Sequence, residues 1–119
     1  MRIVSLVPSI TASLVDLGLR NHLVGCTKYC VYPPDLHRTC TMVGGTKDPD
    51  LALIHTLEPT HIFLNEEENR LEDFEVLKNL ADCFLYLPRH PRDVKNLLLE
   101  IGRSTNIEKT AQIWMNCGF

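Results

Sequence analysis

RIVSLVPSITASLVDLG, residues 2–18, is the stretch from which the fold of this chain can be predicted. Its first six residues, 2–7, form a short apolar run rich in β-branched side chains, which favours a buried strand. Pro8 ends that run, and Ser9 is a residue type preferred at a helix N-cap. Apolar residues then continue to Gly18, a residue typical of the position just beyond a helix. The stretch therefore predicts a strand, a turn and a helix.

The same alternation of strand and helix continues along the chain. Further strands are predicted over residues 22–29, 61–65 and 83–87, with a brief extended piece at 41–43. Helices are predicted after Asp48-Pro49, from Asn69 to Ala81 and after His90-Pro91, and the capping box Thr105-x-x-Glu108 opens a last one. Strands that alternate with helices predict an α/β fold: a Rossmann-like, mainly parallel sheet flanked by helices.

Composition narrows the classes of function. The chain has 119 residues, of which 45% are hydrophobic and 23% charged, as in one globular domain. The formal net charge is −3 and no basic stripe is present, so a nucleic-acid partner is not expected. No run of about 18 apolar residues occurs, so no membrane insertion is expected. The apolar N-terminus is interrupted by Pro8, Ser9 and Asp16 and lacks the features of a signal peptide, which predicts the cytoplasm.

Three stretches carry a family resemblance: RIVSLVPSITASLVDLG, VGCTKYCVYPPD and VGGTKDPDLALIHTLEPTHIFLNEEENR. Taken in this order, they resemble the N-terminal lobe of class III, helical-backbone, substrate-binding proteins of the cobalamin and iron-siderophore receptor type. The likeness is greatest to a signal-less, cytoplasmic branch of that group. It implies two α/β lobes joined by a long helix, with a ligand in the cleft between them. Residues 1–105 would then be the ligand-binding lobe and 106–119 the truncated start of the bridging helix.

The resemblance and the fold together predict where a ligand would lie. In open parallel sheets, ligands lie beyond the carboxyl ends of the strands. The resemblance places Tyr29 where the family has a ligand-contacting tyrosine and implies a corrinoid, a haem or an iron chelate as the ligand. The candidate ligand-binding residues are Pro8, Ser9, Tyr29, Cys30, Gly44, Gly45, Thr46, Asn65, Glu66, Asn69 and Arg70.

Two positions depart from the family's pattern. Ala12 stands where the family usually has a glutamate that would complete a capping box with Ser9. Ala52 stands where exported relatives have a glutamate that docks on a transporter. Docking of this chain on a transporter is therefore doubtful.

The cysteines and histidines allow other interpretations. Cys26, Cys30, His37 and Cys40 could supply three sulfurs and one nitrogen to zinc, but they lack paired turn spacing, and separate thiols are expected. Cys30 could pair with His37 or His90 as a nucleophile, although no hydrolase signature surrounds them. We therefore predict no metal site and no catalytic residue.

The predicted function is non-catalytic binding of a small molecule. Val7-Pro8-Ser9 replaces the glycines that a dinucleotide site needs after the first strand, which argues against a nucleotide-dependent enzyme. The alternative is a self-associating module in which the cleft is formed by two lobes of a homodimer. The missing second lobe could also come from elsewhere.

Overall fold

A computed structural model describes residues 1–16, 18–65 and 67–85 of the chain. These ranges contain five strands, three α-helices and two single-turn 3-10 helices. The strands are β1 (Ile3–Ser5), β2 (Leu23–Cys26), β3 (Thr41–Met42), β4 (His61–Leu64) and β5 (Asp82–Leu85). The helices are α1 (Pro8–Asp16), α2 (Leu51–Thr56) and α3 (Leu71–Leu77), and the 3-10 helices are Arg20–His22 and Leu36–Arg38. The predictions for residues 86–119, including the bridging helix, lie outside the described residues.

The five strands form one sheet in the order β3-β2-β1-β4-β5, and every neighbouring pair is parallel. The predicted α/β class with a parallel sheet is confirmed. The strand order reverses between β1 and β4, because the chain first builds outward through β2 and β3 and then returns. Such a reversal leaves a crevice between the two loops that follow the central strands, and ligands of open α/β sheets bind at this place.

Helices cover both faces of the sheet. On one face, α2 and α3 pack on the strands in a cluster whose fully buried members are Val4, Leu6, Val43, Ile54, Ile62, Leu64 and Leu77. On the other face, Thr11 of α1 donates a hydrogen bond to Ser5 Oγ, and Ser5 alternates in direction with Val4. Helices of six and seven residues are marginal alone. Burial of each large side chain, at about 2 kcal/mol, is therefore what stabilises α2 and α3.

The helix starts differ from the predicted ones. Helix α1 begins at Pro8, so Ser9 is a helical residue and not the N-cap, because proline is preorganised for the first helical position. Helix α2 has Asp50 as its N-cap: Leu53 N–H donates to Asp50 Oδ1 at 3.0 Å. The predicted cap, Asp48, lies in the preceding loop, where Pro49 forms a bridge with Gly44.

Most of the predicted segments are shorter in the structure, and β2 and α3 differ most from their predicted lengths. Strand β2 ends at Cys26 and not at residue 29, because a turn follows that Cys30 N–H closes by donating to Thr27 O at 3.1 Å. Helix α3 begins at Leu71, since Asn69 is engaged before it with the backbone of neighbouring loops. Leu71 fits the helical spacing of apolar residues in the segment predicted from Asn69 to Ala81, but its side chain is 69% exposed.

Candidate functional site

Because the strands are parallel, the loops that follow β1 to β4 meet at one edge of the sheet. We call this edge the rim, and its segments are residues 6–9, 27–32, 43–50, 65 and 67–70. The predicted ligand-binding residues that the structure describes all lie in these segments. Glu66 lies outside the described residues. The rim is therefore the region that contains the predicted site.

Asn69 fills the crevice where the strand order reverses. Its Nδ2 donates to Leu6 O and to Thr46 O, both at 3.1 Å, and its Oδ1 accepts from Asn65 N–H at 2.8 Å. The side chain is only 6% exposed. It therefore joins the loops that follow β1, β3 and β4. Asn69, predicted as a ligand contact, holds the crevice closed.

The loop after β4 is fastened by its own hydrogen bonds. Asn65 Oδ1 accepts from Glu67 N–H at 2.7 Å, and Asn69 N–H donates to Asn65 O at 2.9 Å. Lys47 Nζ donates to Glu67 O at 2.7 Å and so joins this loop to the one after β3. We call residues 44–47 with 65 and 67–70 the closed half of the rim.

Arg70 lies at the exposed end of the closed half. Its guanidinium donates two hydrogen bonds to the buried Asp73 carboxylate, at 3.0 and 3.1 Å. The hydrogen bond with Asp73 raises the pKa of Arg70, with a smaller contribution from the charge of the same carboxylate. A guanidinium has five N–H donors, so Arg70 keeps donors free of Asp73 for an anionic group on a ligand.

The two glycines of the closed half are required by the backbone. Gly44 has a φ of 102°, and a Cβ there would lie 2.9 Å from Asp48 O. A Cβ at Gly45 would collide with Asp48 Oδ1. The loop is drawn tight because Asp50 N–H donates to Val43 O at 2.6 Å. The glycines thus permit a close loop at the rim.

The loop after β2 has the opposite character. Tyr29, Val31 and Tyr32 are 54%, 75% and 51% exposed, so large apolar side chains face solvent together in one short segment. Lys28 Nζ lies 5.3 Å from the centroid of the Tyr29 ring, within cation–π range. We call residues 27–32 the open half of the rim.

Cys30 lies beneath these exposed side chains and is 3% exposed. Its Sγ lies 3.1 Å from Thr11 Oγ1 and 3.3 Å from Thr27 Oγ1. A hydrogen bond with Cys26, followed by burial, raises the pKa of the Cys30 thiol. A protonated, buried thiol is a poor nucleophile and a poor metal ligand. The structure therefore places Cys30 under the surface and not on it.

The neighbouring thiols share this environment. The hydrogen bond with Cys30 lowers the pKa of Cys26, but the hydrogen bond with Cys40 and burial outweigh it and raise the value to about 12. His37 is exposed, whereas Cys40 is buried. Within the described residues, no three His, Cys, Asp or Glu side chains are arranged to hold a metal ion.

Two exposed apolar residues of the rim, Val31 and Tyr32, were not among the residues predicted from the sequence. Val31 and Tyr32 precede Pro33-Pro34, so their place in a loop was predictable, and apolar residues in a loop signal exposure. Leu71 has the spacing of an apolar helix residue, yet it is exposed at the start of α3, next to the rim. Of the predicted residues, Ser9, Tyr29 and Arg70 are exposed, Pro8, Gly44 and Thr46 are half-buried, and Cys30, Gly45, Asn65 and Asn69 are buried.

A shallow groove of about 560 Å³ lies away from the rim, at the amino edge of the sheet. It is lined by His55, Thr56, Glu58, Pro59, Asn79 and Leu80. Glu58 adopts a left-handed conformation there, with a φ of 51°. None of the predicted site residues contributes to this groove.

In open parallel α/β sheets, the carboxyl edge where such loops gather is the place at which ligands bind. The sequence profile of a family described as periplasmic binding protein matches residues 3–116. The chain belongs to this family. None of the curated proteins compared with the chain matches it.

Solved structures agree with this assignment. The periplasmic vitamin B12 binding protein BtuF of Vibrio cholerae superposes with a TM-score of 0.83 at 21% identity, covering 93% of this chain and 44% of that one. The periplasmic heme-binding protein RhuT from Roseiflexus sp. RS-1 gives 0.80 at 20%, covering 93% and 43%. The iron uptake substrate-binding protein PiuA from Streptococcus pneumoniae gives 0.81 at 22%, covering 97% and 42%. These likenesses show the fold, and this chain spans less than half the length of each structure.

The resemblance predicted from the sequence is thus confirmed at the level of family and fold, but the predicted location is wrong. We expected the cytoplasm, whereas the family and the similar structures are periplasmic binding proteins. The expectation rested on the first residues of a chain that spans only part of its relatives, and such residues do not report on export. Among the described residues, no helix is long and apolar enough to cross a membrane.

Proposed function

We propose that this chain is the N-terminal lobe of a two-lobed binding protein and that its rim binds one face of a large planar ligand without chemistry. The ligand class is a corrinoid, a haem or an iron chelate. The family membership supports ligand binding, and the similar structures include proteins described as binding vitamin B12, haem and iron. The choice of ligand class for this chain is part of the proposal.

The observation that carries the proposal is the exposure of Tyr29 at the rim. An aromatic ring that is 54% exposed beside Val31 and Tyr32 offers a flat apolar surface of the kind on which a macrocycle stacks. Lys28 lies over the ring and supplies a positive charge beside it. Carboxylate side groups on a ligand would be attracted to this lysine and to Arg70.

The closed crevice excludes a competing mode of binding. A nucleotide would insert between the loops after β1 and β4, but Asn69 occupies this place with its amide hydrogen-bonded to Leu6 O and Thr46 O. A ligand therefore has to lie on top of the rim. Binding sites for small molecules cover most of the ligand surface. The rim of one lobe covers one face of the ligand. The proposal therefore includes a second lobe, which covers the other face and completes the affinity.

Binding without catalysis agrees with the groups at the rim. Cys30, the nucleophile considered from the sequence, has Thr11 and Thr27 as hydroxyl neighbours and a raised pKa. Docking on a transporter is not part of the proposal, because the exposed Ala52 in the first turn of α2 offers no carboxylate.

The test is a titration of the purified chain with hemin and with cyanocobalamin, followed by absorbance. Tyr29→Ala should weaken the binding of the ligand that binds by about tenfold, since a stacked aromatic ring contributes on the order of 1–2 kcal/mol. Val76→Ala, a change at an exposed apolar residue near the end of α3, is the matched control and should leave the affinity unchanged. Equal affinities of Tyr29→Ala and the unmodified chain would contradict the proposal.

The mass in solution, measured in the same samples by light scattering, addresses the alternative. In the proposal, hemin binds to the monomer at high dilution. If binding occurs only where the chain is dimeric, the alternative of two lobes forming one cleft replaces the proposal of a single rim.

A further inference from the structure

The open half of the rim rests on a line of buried hydroxyl and thiol groups. These are Ser5 in β1, Thr11 in α1, and Thr27 and Cys30 in the loop after β2, each at most 3% exposed. Buried polar groups need hydrogen-bond partners, and each hydroxyl or thiol has a single hydrogen to donate. The direction of each hydrogen bond can therefore be worked out from its neighbours.

The donor and acceptor of each hydrogen bond follow from the residues near β1. Ser5 Oγ donates to Val7 O at 3.1 Å, which uses its only hydrogen. Thr11 Oγ1 has one hydrogen and two acceptors for it at this end, Ser5 Oγ at 2.8 Å and Val7 O at 3.1 Å. The contact of 3.1 Å between Thr11 Oγ1 and Cys30 Sγ therefore has the Cys30 thiol as its donor, and Cys26 is a second acceptor for the same hydrogen.

The direction is the same at the loop end. Tyr29 N–H donates to Thr27 Oγ1 at 3.3 Å. The hydroxyl of Thr27 keeps its own hydrogen, which it can donate to Cys30 Sγ at 3.3 Å. One chain of donors thus runs from the Tyr29 amide through Thr27, Cys30, Thr11 and Ser5 to the carbonyl of Val7.

We propose that Cys30 is a positioning residue of the ligand-binding surface: its protonated thiol is the middle link of this chain and holds the Tyr29 backbone at the rim. This inference rests on the proposed function. It replaces the interpretation of Cys30 as a ligand contact, because the sulfur faces α1 and not solvent. The chain needs a group that both donates and accepts at position 30, which serine also provides and alanine does not.

The first readout needs no ligand. Hydrogen exchange of the Tyr29 amide, measured by NMR on the full chain, should speed up by about tenfold in Cys30→Ala, since local opening becomes easier when the link is lost. Cys30→Ser should return the rate to within about twofold of the unmodified chain, because the hydroxyl restores both hydrogen bonds. The amides of β4 serve as the internal reference and should not change. An unchanged Tyr29 rate in Cys30→Ala overturns the proposal.

The second readout is a double-mutant cycle on hemin affinity. Cys30→Ala alone should weaken binding by about fivefold, and Cys30→Ser should weaken it by less than about twofold. In the Tyr29→Ala background, Cys30→Ala should have no further effect, because a residue that acts through Tyr29 has nothing left to position. Equal losses in both backgrounds would show that Cys30 acts on its own and would overturn the positioning role.

The two proposals can fail separately. If Tyr29→Ala does not change hemin affinity, the rim contact of the proposed function is wrong, and the exchange rates still decide whether Cys30 positions Tyr29. If Cys30→Ala does not fold, Thr27→Val breaks the same chain one link away with a side chain of the same shape. The exchange and affinity results expected for Thr27→Val are those given for Cys30→Ala.

Discussion

The two halves of the rim differ in which side chains they bury and which they expose. In the closed half, the amides of Asn65 and Asn69 are buried and hydrogen-bonded to the backbone of neighbouring loops. In the open half, Thr27 and Cys30 lie underneath, and the side chains that face solvent are those of Tyr29, Val31 and Tyr32 together with the charged Lys28. A polar sequence thus builds a closed wall, whereas a more apolar one builds the exposed surface.

The difference shows how a rim residue should be assigned. The presence of a buried amide is explained by the groups that it hydrogen-bonds, because a buried polar group without a partner costs free energy. The presence of an exposed aromatic ring in a loop is not explained by the stability of the fold. We therefore expect substitutions in the closed half to change stability and substitutions in the open half to change binding.

The largest effect is expected for Asn69→Leu, which keeps the shape of the side chain and removes its amide. Leu6 O, Thr46 O and Asn65 N–H would all lose a buried partner, which should lower the free energy of unfolding by about 3 kcal/mol. Urea denaturation measures this change. Asn79→Leu is the control, since that exposed amide donates to Glu75 O on the protein surface, and a loss of less than about 0.5 kcal/mol is expected. Equal losses would mean that Asn69 does not hold the rim closed.

Gly44→Ala should follow, with a loss of about 2 kcal/mol, because the new Cβ meets both a left-handed φ and Asp48 O at 2.9 Å. Gly18→Ala separates the two causes. Gly18 also has a positive φ, of 82°, but apart from its chain neighbours no described residue lies within 4 Å of the position of a Cβ. It should therefore lose only about 1 kcal/mol, the conformational part. A loss at Gly44 no larger than at Gly18 would remove the argument from close approach in the closed half.

How far the sequence predicts this molecule depends on the range of the interactions. The strand–helix alternation and the parallel sheet followed from local patterns, and the position of the rim followed from the topology. The division of the rim did not, because Asn69 acquires its role only through Leu6, which is 63 residues away. The cap of α2 was misplaced by two residues because Asp48-Pro49 and Asp50 are equally good helix starts by local rules. Leu71 fitted the helical period, and only the structure shows that α3 begins there at the exposed rim.

The cap assignment can be tested directly. Asp50→Ala should cost about 1 kcal/mol of unfolding free energy, because Leu53 N–H loses its acceptor. Asp48→Ala, the cap expected from the sequence, should cost less than about 0.5 kcal/mol. Thermal unfolding of the two variants, measured side by side, shows which variant loses more stability. A larger loss in Asp48→Ala would place the start of α2 at Asp48.

The thiols beneath the open half predict a pH dependence with a definite sign. The hydrogen bond with Cys30 lowers the pKa of Cys26, but the hydrogen bond with Cys40 and burial outweigh it and raise the pKa from 9.0 to about 12. The protonated Cys26 thiol therefore adds to the free energy of unfolding below pH 9. This contribution is lost as the pH rises towards 12, because the thiol ionises in the unfolded chain before it ionises in the folded one. In Cys26→Ala, unfolding free energy measured by urea should fall less steeply between pH 9 and pH 11 than in the unmodified chain. An equal slope would mean that Cys26 ionises as easily in the folded protein as in the unfolded one.

Val31→Ser is expected to have the smallest effect on stability, so any effect that it has on binding can be assigned to the surface itself. Val31→Ser changes a side chain that is 75% exposed in the open half, so the free energy of unfolding should stay within about 0.5 kcal/mol. Val24→Ser makes the same change at a half-buried residue packed on the core and should cost more than about 1 kcal/mol. If the open half is a binding surface, Val31→Ser should still weaken hemin binding by about threefold, since apolar contact with the ligand is lost. Loss of affinity without loss of stability would separate the open half from the closed half by function, whereas loss of stability would show that Val31 belongs to the folded core.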